Sequence, residues 1–192
     1  MANPDSIVSI RTLGSFNISV DNTTVAAVWP DEATKVLFCS LLSPLDLNFT
    51  WDRICRSMWG VPESQDLKHI LEETSLRTLN EFLIKELGFN PLIKGSDGIK
   101  INHKRIYLDA IEFYKTVLEG VRLFSLSDHA AAVEKFNRAN VLYTGSYLPG
   151  MPGKIIENTR HDLESLYQTV VMETGRSHER RLAANGCSMV EH

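Results

Sequence analysis

The apolar residues of this chain change their period along its length, and the order of those changes restricts the fold more than any single residue does. Between residues 7 and 25 they alternate: Val8 and Ile10, then Phe16, Ile18 and Val20, with a break at Leu13-Gly14. Period-two alternation buries one face of a strand and Asp21-Asn22 supplies a turn, so this stretch predicts two short antiparallel strands. From Asp31 the spacing becomes helical, with Val36, Leu37, Cys39, Leu41 and Leu42 on one face and Ser43-Pro44 as the stop. Thr50 is placed to cap a short second helix over 51–59, with Ile54, Met58 and Trp59 turned inward and Gly60 closing it. A third helix falls within 64–87, where Leu76, Leu79, Leu83 and Leu87 recur by three and four before Gly88. Segments 91–94 and 98–102 flank Gly95-Ser96-Asp97, a hairpin with turn residues at its tip. Strands, three helices and a hairpin, in that order, predict an α+β winged helix-turn-helix with the hairpin as wing.

After Asp109 the pattern is helical throughout. Ile111, Phe113, Val117, Leu118 and Val121 mark one helix, and Ser127-Asp128 caps a second carrying Ala131, Phe136 and Ala139. The Gly/Pro-rich stretch 145–153 is a loop. Leu163, Leu166, Tyr167, Val170 and Thr174 then give an amphipathic helix that is expected to continue towards Ala184 and end near Gly186. Such pairs suggest an all-α, tetratricopeptide-like segment, in which each unit buries its apolar face against a neighbour. Only about one and a half units fit, so Tyr167 and Val170 are expected to border an exposed apolar groove. The expected division is a winged-helix domain over 1–108 and a helical domain over 109–192.

The chain is 43% hydrophobic and 23% charged, as folded proteins are. No basic, apolar leader stands at the start and no apolar run approaches the roughly 20 residues of a membrane span. A cytoplasmic location with no membrane partner is the expectation. Cys39, Cys55 and Cys187 are odd in number and far apart, which suggests reduced packing residues. The histidines are scattered and no Cys/His spacing suits zinc, so neither metal nor cofactor is expected. Gly150-Met151-Pro152-Gly153-Lys154 approximates a phosphate loop, but Leu148 stands at its first glycine position and Ile155 replaces the hydroxyl residue. With no nucleophile elbow either, catalysis is not expected.

The net charge of −4 bears directly on nucleic-acid binding. Residues 1–108 carry 11 basic against 13 acidic side chains, so DNA affinity would have to come from local clusters. On the third helix Arg77, Asn80 and Lys85 are the donors suited to base edges or phosphates. The competing reading makes them solvated residues paired with Glu73, Glu81 or Glu86. Lys94, Lys100, Lys104 and Arg105 form the densest basic cluster, suited to a wing along phosphates or in a minor groove. Lys35, Arg53 and Arg56 could clamp the backbone from the first two helices. Trp29, Trp51, Trp59 and Phe82 read as core or rim residues, not stacking platforms.

Taken in order, these residues resemble the Streptomyces antibiotic regulatory protein (SARP) type. Residues 10–18 are similar to its leading strand, 35–42 to its first helix, and Met58-Trp59-Gly60 to the end of its second. Leu83 to Gly88 sits where its recognition helix finishes. Leu108-Asp109 with Phe113 resembles the entry to the bacterial transcriptional activator domain. The sequence Leu142-Tyr143-Thr144-Gly145-Ser146-Tyr147-Leu148-Pro149-Gly150 is similar to that domain's signature, and 164–182 to the helix after it. The resemblance implies an OmpR-type winged helix followed by a truncated helical-repeat domain. It further implies binding to promoter DNA and contact with RNA polymerase near Glu63 and Asp66. A homodimer is a separate partner expectation. The sequence departs from the type where Ile84 replaces a usual arginine and where 60–88 is longer than usual. The acidic balance and Ile84 motivate the alternative, a protein–protein interaction module that keeps the winged-helix fold without DNA affinity.

Overall fold

The structure is a computed structural model that describes residues 7–46, 48–102 and 104–172. The segment 173–192, with Cys187 and the expected helical run past Thr174, lies outside the described residues.

Strands β1 (Val8–Arg11) and β2 (Asn17–Val20) pair antiparallel, and β3 (Thr23–Thr24) extends the sheet beyond the Asp21-Asn22 turn. A fourth strand, β7 (Ile106–Leu108), lies parallel to β1 and completes the order β3-β2-β1-β7. Val8 stands opposite Ile106 and Ile10 opposite Leu108, and all four side chains are buried on one face. This pairing brings the end of the first half beside the start of the chain.

Helix α1 (Glu32–Leu42) opens at Asp31, whose carboxylate accepts from the Thr34 amide at 2.6 Å. Strand β4 (Asn48–Thr50) follows and leads directly into α2 (Trp51–Trp59). Thr50 caps that helix and Gly60 ends it in the left-handed conformation, as the local signals require. The next helix runs from residue 65 to 87 in three joined parts: α3 (Gln65–Leu71), a π-helical turn (Glu72–Leu76) and α4 (Arg77–Leu87). Leu71 and Leu76 are both buried although five residues apart, a spacing that a wide i→i+5 turn accommodates and an α turn does not.

Strands β5 (Leu92–Lys94) and β6 (Gly98–Ile101) form the expected hairpin, and β4 joins its far side in the order β4-β6-β5. Gly98 permits this approach, because a Cβ there would collide with the Phe49 carbonyl. Trp51 ties the tip to α2: its amide donates to Asp97 O and its indole to Ser96 O, both at 3.0 Å.

Helices α5 (Asp109–Ser125) and α6 (His129–Leu142) pack as an antiparallel pair, with Gly120 flat against the Phe136 ring. After the 143–153 loop comes α7 (Lys154–Leu166), which passes into a second π-helical segment (Tyr167–Met172). Two buried clusters result, and they interlock. Leu13 and Cys39, from the first half, belong to the second cluster, while Phe16, Leu45 and Ile155 pack against both. Tyr167 and Val170 are half-buried against the second cluster, where Tyr167 stacks on Tyr143 at 4.1 Å and donates to Asn140 Oδ1. The exposed apolar side chains of this half lie on α5, α6 and the turn between them, at Leu118, Val121, Phe124, Leu126 and Val141.

Cys39 and Cys55 are free and buried. Burial pushes the Cys39 thiol up to about 12, with Lys35 opposing the shift, so its packing role leaves it protonated. Among the described residues, no helix is long and apolar enough to cross a membrane.

Candidate nucleic-acid interface

The helix over 65–87 stands with α2 on one side and the hairpin on the other. Its core face carries Leu71, Leu76, Leu79, Leu83 and Leu87. The outward stripe, at steps of three and four, is Glu73, Arg77, Glu81, Ile84 and Lys85. Two acids, two bases and an isoleucine that is 51% exposed make this stripe electrically balanced. Arg77 sits 3.9 Å from Glu73, a loose contact one turn away, and Lys85 lies 3.3 Å from Glu86. Both are well exposed, so these pairs hold them weakly.

Asn80 does not share that stripe. It is half-buried and accepts a hydrogen bond from Asn90 Nδ2 at 3.1 Å, facing the hairpin. Lys94 faces the same groove and pairs with Glu72 at 2.7 Å. Lys100 is one β6 position from Ile99 and therefore projects from the opposite face of the hairpin, across from Ile93 and Asn48. Lys104 is exposed in the link to β7. Arg105, nearby in sequence, lies across the Phe89 ring at 3.6 Å, its Nε buried without a partner. The basic run at 94–105 is thus contiguous in sequence and divided in space.

The remaining candidates are farther off. Lys35 is half-buried on α1. Arg53 reaches Asp46 at 3.4 Å and Asn48 O at 3.2 Å. With Arg56 it lines an open cleft of about 730 Å³ between α2 and α7, opposite Lys154 and Asp162. Asp52 accepts from Arg56 Nε at 2.7 Å and from the Glu63 amide at 3.1 Å. The Arg56 hydrogen bond first, then the Glu63 amide, holds the Asp52 carboxyl below its ordinary value. That contact fixes the loop that presents Glu63 at the surface, while Asp66, expected in the same loop, lies exposed in the first turn of α3. Among the described residues, no group of three His, Cys, Asp or Glu side chains could hold a metal ion.

Sequence reasoning passed over Glu72. The signal was present in the five-residue step from Leu71 to Leu76, which marks the wide turn at which Glu72 is set towards the hairpin.

No family model matches the sequence, and no curated protein matches it significantly. The architecture is a mixed α+β chain with small sheets. It is similar to the structure of Mycobacterium tuberculosis EmbR, solved in complex with a low affinity phosphopeptide, with a TM-score of 0.56 at 14% sequence identity. The match covers 90% of this chain and 44% of EmbR, so the chain spans less than half the length of that protein.

Proposed function

We propose that this chain is a transcription regulator that binds promoter DNA through a winged helix-turn-helix, with 65–87 as recognition helix and the β5–β6 hairpin as wing. The observation that carries the reading is the β4-β6-β5 sheet. It joins the strand entering α2 to the wing, so that α2, the recognition helix and the wing form one unit with the stripe from Glu73 to Lys85 left open. Arg77 and Lys85 are then the leading groove contacts, with Lys100 and Lys104 as further phosphate candidates. Residues 109–172 begin a helical-repeat domain of the activator type. RNA polymerase is the partner suggested for Glu63, in the loop before α3, and Asp66, in that helix's first turn. The reading assigns no catalysis and places the protein in the cytoplasm.

The second reading, a protein-binding module without DNA affinity, is favoured by the balanced stripe and by exposed Ile84. Selection of duplexes from a random pool, followed by anisotropy titrations from about 50 to 200 mM salt, separates the two. Expected is a preferred sequence whose affinity falls steeply with salt, and a log–log slope reduced by about 1 in Arg77→Ala. A folded protein that binds no duplex at low salt overturns the DNA reading.

A further inference from the structure

We infer that the Glu72–Lys94 pair is a clasp that aims the wing, so that Lys94 is a positioning residue and not a phosphate contact. The inference rests on the DNA-binding reading above and assigns separate work to residues that the sequence groups together.

Register is the first argument. Lys94 stands opposite Ile99 in the β5–β6 ladder, and opposed residues share a face. Ile99 is buried, so Lys94 leaves the hairpin on its core side, while Lys100 leaves on the other. The second argument is chemical. Lys94 Nζ meets Glu72 Oε2 at 2.7 Å, and the Glu72 side chain is only 18% exposed. Its other oxygen, Oε1, is buried with no hydrogen-bond partner. A Lys94 drawn away to a phosphate would leave this carboxylate part-buried, uncompensated and beside a second anion. Asn90, in the link that leads from α4 into β5, donates to Asn80 across the same groove, so the entry to the hairpin is also tied to the helix. Lys94 directly precedes Gly95, so the clasp holds the base of a tip that Trp51 also ties to α2 through Ser96 and Asp97.

The experiment uses the full chain and three readouts: thermal unfolding, amide exchange of the hairpin, and binding to the selected duplex. Lys94→Glu should lower the melting temperature, speed exchange in the hairpin and weaken the duplex complex more than tenfold. The exchanged pair Glu72→Lys/Lys94→Glu should restore all three, with affinity within about threefold of wild type. Lys94→Met, a milder change that keeps the alkyl stem, should weaken binding by a factor that does not vary with salt. Removal of a true phosphate contact instead lowers the slope by about 0.9. A swap that recovers stability but not affinity, or a slope reduced by about 0.9 in Lys94→Met, makes Lys94 a phosphate contact and overturns the inference. A swap no more stable than Lys94→Glu shows that there is no clasp. A wild-type protein that binds no duplex sinks the DNA reading and the positioning role with it, while unfolding and exchange still report the ion pair itself.

Discussion

Asp109 shows how one side chain can join distant parts of a chain. Its Oδ1 accepts from the Thr12 amide at 2.8 Å, the Thr12 hydroxyl at 2.6 Å and its neighbour's amide at 2.8 Å, and its Oδ2 from the Leu13 amide at 3.0 Å. The turn between β1 and β2 therefore finds its donors satisfied by the first residue of α5. Burial raises the Asp109 pKa above 3.8, with the four hydrogen bonds opposing it. The native state then holds the proton more tightly than the unfolded one. Its contribution to stability is greatest below the unfolded value and declines as the pH rises through the raised one. Asp109→Asn places an NH2 or a lone oxygen where two acceptors are needed, and should cost about 1–3 kcal/mol in urea unfolding. The deficit against wild type should narrow as the pH rises from the unfolded value through the raised one. A gap that widens over that range would reverse the assignment. In the sequence Asp109 marks only a change of pattern, because its partner Thr12 is 97 residues away. The caps at Asp31, Thr50, Gly60, Gly88 and Asp128 were legible, since each acts on amides or carbonyls within one turn. Arg105 shows the opposite limit. Charge and neighbourhood suggest phosphate, but the Phe89 ring takes it.

At the scale of elements, the helix over 65–87 was legible in existence and extent but not in its break. Leu76, Leu79, Leu83 and Leu87 fit one α-helical face, and Leu71 joins them only through the π turn. The π turn sets Glu72 towards the hairpin while Glu73 stays in line with the stripe that follows. Deleting Thr74 should close the turn, bring Leu71 and Leu76 to a spacing of four and retain folding to within about 1 kcal/mol. Leu71→Ala should lose about 2–5 kcal/mol by emptying a fully buried site. If the deletion costs as much as Leu71→Ala by urea titration, the turn is needed for packing and not simply tolerated. Strand β4 escaped sequence reasoning because three residues carry too short a pattern, and its pairing with β6 spans the whole of α2 and the third helix. The β5–β6 pairing divides Lys94 from Lys100, a distinction that follows from alternation once the strand bounds are known.

For the whole molecule, the decisive feature is that the two clusters interlock at the turn before β2 and the loop before α7. Leu13 bridges to Tyr147, the Leu148 amide donates to Thr12 O at 2.7 Å, and the Thr144 hydroxyl to Leu13 O at 2.6 Å. Arg160 holds that loop, donating to the carbonyls of Tyr147, Leu148 and Met151. The three tryptophans lie before residue 60, and Tyr114, Tyr143, Tyr147 and Tyr167 lie after 108. Tryptophan fluorescence and tyrosine near-UV dichroism should therefore report unfolding with one midpoint, and Arg160→Ala should lower the unfolding free energy that both report by about 2–4 kcal/mol. Two separate midpoints would show that the halves fold independently. The sequence alone determined the order of strands and helices, their caps and the hairpin, because those follow from periodicity and from bonds within a turn. Only the tertiary structure decided which cations are free, which are clasped or stacked, and how the halves lock. Those outcomes depend on partners more than a hundred residues away and on which face of each element its neighbours leave open.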